Sequence, residues 1–169
     1  MKRKREIDNE LLERRAKAVV AIIYYATEQF LKDITGKTKG LKGIQELKKI
    51  DEKEKDLIAF LTAVSFLLQA QKFFWENIIK DKKAAIKFEK AIYNCFEEAA
   101  GVNPKPYIKE IGEYIKKQGR EGEIMYLGSK ICRELRKPDA FLMLELNTIF
   151  SAILRHGFFE SLKRVWETK

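Results

Sequence analysis

Apolar residues recur along this chain in steps of three and four, the spacing that gathers side chains on one face of an α-helix. Leu12, Ala16, Val19, Ile23, Phe30 and Ile34 mark a first helix over residues 8–34, which Gly36 ends. A short helix from Ile44 to Ile50 follows. Asp51 and Glu54 have the spacing of a capping box and open the most apolar run, residues 54–79. Only a narrow stripe of Thr62, Ser65, Gln69, Lys72 and Glu76 interrupts that run, so it predicts a core helix surrounded by others. Asp81 is placed to cap a fourth helix with the apolar face Ala85, Phe88, Ile92, Cys95, Phe96 and Ala99, which Gly101 stops. Asn103, Pro104 and Pro106 start a short fifth helix carrying Ile108, Ile111 and Ile115. After the break at Gly119 and Gly122, residues 123–136 repeat Ile124, Leu127, Ile131 and Leu135, and beyond Pro138 a last helix is predicted over residues 139–167. No segment alternates with period two. The pattern therefore predicts an all-α fold, a single bundle of six or seven helices over residues 8–169, preceded by a basic extension at residues 1–7.

Composition adds a partner class. Among 169 residues, 34 Lys and Arg face 25 Asp and Glu, and the net charge of +9 favours a polyanion. With 46% hydrophobic residues the chain can fold, which excludes the disordered and collagen-like classes. Met1 to Arg5 are followed by Glu6, Asp8 and Glu10 where a secretion signal would turn apolar, so no signal is expected. The longest uncharged run, Leu57 to Gln71, is shorter and more polar than the roughly 20 apolar residues of a bilayer span, and no membrane partner is expected. Cys95 and Cys132 fall on apolar faces of separate helices, the placement of reduced thiols in a cytoplasmic protein. Abundant Lys and Glu with few Asn and Gln suit a thermophile.

The residues that could carry catalysis are few. Gly36-Lys37-Thr38 has the tail of a phosphate-binding loop, but position 31 is Leu where that motif needs Gly, and no strand precedes it. His156 is the sole histidine, which excludes mechanisms needing two imidazoles and His-rich zinc sites. A HEPN-type ribonuclease would need Arg at 149–151, where Ile, Phe and Ser stand, and a carboxylate di-metal bundle would need Glu at position 153, which is Ile. His156 therefore reads as a helix-surface or rim residue. No enzyme, cofactor, metal or small-molecule substrate is expected. Phe73-Phe74-Trp75 and Phe158-Phe159 read first as core, with one ring of each cluster near the surface. The basic residues offer the binding surface: Arg14 and Arg15 on the first helix, Lys37, Lys39 and Lys42 in the acid-free Gly36 to Gly43 loop, and Arg155, Lys163 and Arg164 on the last helix. If those helices are neighbours, the three groups join into one positive surface.

Three segments resemble the small helical subunit of type III CRISPR effector complexes, the Cmr kind. They are Leu12-Glu13-Arg14-Arg15-Ala16, the central Ala63-Val64-Ser65-Phe66-Leu67-Leu68-Gln69-Ala70, and Glu145 followed by Ile149, Phe150, Ile153, Arg155 and Gly157. The resemblance implies a compact all-helical, non-catalytic filament subunit of an antiviral ribonucleoprotein, with guide and target RNA and the other effector subunits as partners. It carries over Arg14, Arg15 and Arg155 as RNA-facing positions; Lys37, Lys39, Lys42, Lys163 and Arg164 are added from charge alone. The alternative is a helical protein-interaction adaptor that binds no nucleic acid.

Overall fold

The computed structural model describes residues 8–36, 43–119 and 122–168. Seven α-helices build it: α1 (Asn9–Thr35), α2 (Glu52–Phe73), α3 (Lys82–Ala100), α4 (Lys105–Gln118), α5 (Gly122–Glu134), α6 (Ala140–Ile153) and α7 (Phe159–Glu167). Among the described residues there is no strand. The all-α bundle expected from periodicity is the fold.

Local chemistry sets the helix starts. Asp8 accepts from the amides of Glu10 and Leu11 at the head of α1. Asp51 accepts from Glu54 N at 2.8 Å while the Glu54 carboxylate accepts from Asp51 N at 2.9 Å, so the capping box is complete in both directions. Asp81 and Asp139 cap α3 and α6 by accepting from the Ala84 and Phe141 amides, without the reciprocal bond. Gly101 ends α3 in the left-handed conformation, and Pro104 leads into α4. A 3-10 turn, Ile44–Lys49, links α1 to α2 and buries Ile44 and Leu47.

The core helix is α2. By length and composition Glu52–Ile78 could span a membrane, but more than half of its most apolar window is buried by the surrounding bundle. Its polar stripe is accommodated internally: Thr62 and Ser65 are buried, and their hydroxyls donate to the carbonyls of Ile58 and Leu61 one turn back. Lower on the stripe, Lys72 reaches α5 in an ion pair with Glu123. Phe66 packs between Phe150 and Phe158, with centroids 4.7 and 5.0 Å away.

Two features depart from the periodic reading, and both are breaks in helices that the apolar pattern runs through. The core helix loosens into a π turn at Phe74–Ile78 before ending. The final helix, expected to be continuous over 139–167, is divided by a π turn at Leu154–Phe158, where His156 leaves helical geometry and Gly157 takes φ +131°. A side chain is strained at that φ, and glycine supplies the freedom to turn α7 back along α1. Gly128 serves a different need. A Cβ there would lie 2.5 Å from the Met143 carbonyl oxygen, so its absence lets α5 and α6 approach closely enough for Asn147 Oδ1 to accept from Gly128 N at 2.9 Å.

Candidate nucleic-acid interface

The sequence groups its basic residues by helix; the fold regroups them around Trp166. Near the end of α7 the indole lies 5.2 Å from Phe88 of α3 and 6.0 Å from Phe74 at the end of the core helix. Arg15 of α1 covers it, with Cζ 4.4 Å from the ring centroid. The same guanidinium donates to the Trp166 carbonyl at 2.6 Å and the Thr168 carbonyl at 3.2 Å, the otherwise open acceptors at a helix C-terminus. Arg15 Nε is buried with no hydrogen-bond partner. Burial first, then the neighbouring charge of Arg14, lowers the Arg15 pKa. Arg15 is thus engaged as a clasp between α1 and α7.

That clasp draws the start of α1, the start of α3 and the end of α7 to one end of the bundle. Arg14 is exposed beside it. Lys163 and Arg164 lie within one turn of Trp166, exposed, in loose ion pairs with Glu167 at 3.9 Å and Glu160 at 3.5 Å. Exposed pairs of this kind contribute little to stability and leave the cations open to exchange for phosphate. The strongest group at this end was not singled out from sequence: Lys80, Lys82, Lys83, Lys87 and Lys90 are all exposed along the start of α3. None of them is in an ion pair among the described residues. Lys87 and Lys90 line a groove of about 410 Å³ against Asn9, Leu12 and Glu13 of α1. The signal was present in the sequence as lysines at positions 83, 87 and 90, one exposed helical stripe. Acids lie nearby but several are occupied: Glu13 pairs with Lys17 at 2.9 Å, Asp81 caps α3, and Glu89 accepts from the Trp75 indole at 2.9 Å.

Of the remaining sequence-selected cations, one is described. Arg155 is exposed at the α6–α7 break, beside a groove of about 430 Å³ that Ile22, Tyr25, Ala26, Ile153, His156 and Phe158 help to line. Lys37, Lys39 and Lys42 fall outside the described residues. Their segment begins after Gly36, and at 1.5 Å per residue that glycine is roughly 33 Å along α1 from Arg14. The helices are neighbours as supposed, and of the sequence-selected cations among the described residues Arg14, Arg15, Lys163 and Arg164 come together while Arg155 does not.

Other candidate groups are structural in setting. Cys95 and Cys132 are both free and buried, on α3 and α5, and burial raises each thiol pKa. Between α4 and α5, Lys130 bridges Glu110 at 2.8 Å and Glu134 at 2.9 Å, and the Tyr126 hydroxyl donates to Glu110 at 3.2 Å. Chiefly the Lys130 hydrogen bond holds the Glu110 carboxyl below its usual pKa, while burial and the Glu110 charge push the Tyr126 phenol well above its own. His156 is exposed at the rim of the α1 groove. Phe73 and Phe159 are half-buried and stack on each other at 5.3 Å. No group of three or more His, Cys, Asp or Glu able to hold a metal occurs among the described residues.

The surface of α6 has a different character. Phe141 and Leu144 are 74% and 56% exposed, with Ala140 and Thr148 beside them, so the exposed residues of α6 carry no charge. Comparison with protein-family models, curated proteins and solved structures found no match for this chain.

Proposed function

We propose that this chain is a non-catalytic basic subunit that holds an RNA backbone at the end of the bundle where α1, α3 and α7 meet, as part of a ribonucleoprotein of the type III CRISPR kind. The observation that carries the reading is the gathering there of Arg14, Lys163 and Arg164 with five exposed lysines that make no ion pair among the described residues. Cations without protein partners can exchange their counterions for phosphates, and contacts of that kind position a strand without reading its bases. In this reading Arg15 acts indirectly by fixing α7, while Arg14 remains exposed for phosphate. Neighbouring effector subunits raise the local concentration of a weakly binding groove, so modest affinity in the isolated chain is sufficient.

The test is an anisotropy titration of a labelled single-stranded oligoribonucleotide at two salt concentrations. Lys83→Gln/Lys87→Gln/Lys90→Gln should weaken binding about equally for all sequences and flatten the salt slope by about two, since each phosphate contact on a single strand contributes roughly 0.7. The loop triple Lys37→Gln/Lys39→Gln/Lys42→Gln locates any second contact region. If the unaltered chain binds no RNA at either salt, the reading fails. The adaptor alternative then stands, favoured by one observation, the uncharged outer face of α6.

A further inference from the structure

We infer that the outer face of α6 is a docking surface for an acidic amphipathic helix of another polypeptide. Ala140, Phe141, Leu144, Thr148, Ser151 and Ala152 occupy this side, and none can ionise. In a chain with 35% charged residues, a solvent-facing helical arc without charge is the exception, and two large side chains are displayed on it. Tyr25 of α1, 71% exposed, extends the apolar area at one end.

Grooves flank both ends of the arc. At the start of α6, Cys132, Pro138 and Met143 contribute to an apolar trough of about 630 Å³ against α5. At its end lies the groove of about 430 Å³ between α1 and the α6–α7 break. From Ala140 to His156 the surface spans roughly 24 Å, the length of a helix of about sixteen residues. Large side chains spaced along one face of such a helix would enter the two troughs.

Charge selects the occupant. Arg133 and Arg136 border the first trough, and His156 lines the second, with Arg155 exposed one residue before it in the chain. Arg136 and Arg155 have no ion-pair partner among the described residues, and Arg133 reaches Glu110 only at 3.5 Å. The nearby acids are committed: Asp139 caps α6, Glu145 accepts from Ile44 N at 2.8 Å, and Asp33 accepts from Gln29 at 3.0 Å. A partner helix with acidic residues around an apolar stripe complements this rim. A second copy does not. Antiparallel pairing of two α6 faces sets Arg136 against Arg155, parallel pairing sets each against its equal, and both copies carry net +9.

The experiment uses the full chain and three labelled helical peptides of about sixteen residues. One has a leucine stripe with glutamate elsewhere, the second the same stripe with lysine, and the third is the acidic peptide scrambled. The acidic stripe peptide should bind at least about tenfold more tightly than the other two, with affinity falling as salt rises. Phe141→Asp/Leu144→Asp should abolish that binding while leaving the circular-dichroism melt in place, because both side chains are exposed. Arg136→Glu/Arg155→Glu should reverse the preference toward the lysine peptide, a gain that misfolding cannot produce. Equal binding of acidic and basic peptides, unchanged binding by the aspartate variant, or no binding of the acidic peptide would overturn the inference. So would self-association that the aspartate variant abolishes, which assigns the face to a second copy. Competition between oligoribonucleotide and acidic peptide, lost in the same variant, would assign it to nucleic acid.

Discussion

Helices α3 and α6 bury similar material and present opposite surfaces. Inward, α3 places Phe88, Ile92 and Phe96, and α6 places Leu142, Leu146 and Phe150, in one continuous hydrophobic core. Outward, the first turns of α3 show a run of lysines, whereas α6 shows Phe141, Leu144 and Thr148. Burial explains the inner faces of both. It does not explain why one outer face is charged and the other is not, since either would be soluble as a lysine-rich surface. The difference separates two kinds of apolar residue: those required for folding and those displayed after folding is complete.

Replacing inward aromatics should erase the distinction, because the two helices depend on the same core. Phe88→Ala and Phe150→Ala should each destabilise the fold by about 3–5 kcal/mol in chemical denaturation, both side chains being almost fully buried. A small loss at only one of them would show that its helix is peripheral.

The next effect sharpens the charged side. Arg15→Lys keeps the positive charge but removes the planar fork that spans the Trp166 and Thr168 carbonyls, and should cost about 1–2 kcal/mol. If Arg15 acted only as a phosphate contact, the lysine variant would retain full stability.

A pH titration addresses the support beneath α6, the α4–α5 pair. The folded pKa of Glu110 lies below its unfolded value, chiefly through the Lys130 hydrogen bond, so its contribution is present above about pH 4.3 and is lost as pH falls through the folded value. Glu110→Gln should therefore be less stable than the unaltered chain at neutral pH, and the difference should vanish in acid. Because the site is partly exposed, the effect should be smaller than those of the core. A difference that persists once the pH is well below the folded pKa would assign it to packing instead.

The smallest stability effects belong to the outer faces themselves. Lys83→Gln/Lys87→Gln/Lys90→Gln and Phe141→Asp/Leu144→Asp should each shift stability by no more than about 0.5 kcal/mol per site, measured by thermal melting. A loss of several kcal/mol in the aspartate variant would show that the α6 face is part of the fold, and the comparison with α3 would collapse.

Sequence alone determined most of the framework, because helices leave a local record. The period of three and four, the capping aspartates, the prolines and Gly101 each act within a few residues, so α1 to α5, the start of α6 and the end of α7 were legible. The break at Gly157 was not, since a lone glycine in an apolar pattern is compatible with an unbroken helix until α7 must turn back onto α1. The candidate surfaces divide along the same line. Arg14, Lys163 and Arg164 could be chosen as basic residues on exposed faces, but their meeting with the α3 lysines depends on Trp166, Phe88 and Arg15, which are far apart in sequence. Arg15 itself differs from Arg14 only through its reach to α7. Likewise, Phe141 and Leu144 look like core residues in the sequence. Only the packing of α6 against α5, α1 and the Ile44–Lys49 turn leaves them outside, because an all-round apolar helix acquires an inner and an outer face from its neighbours and not from its own pattern.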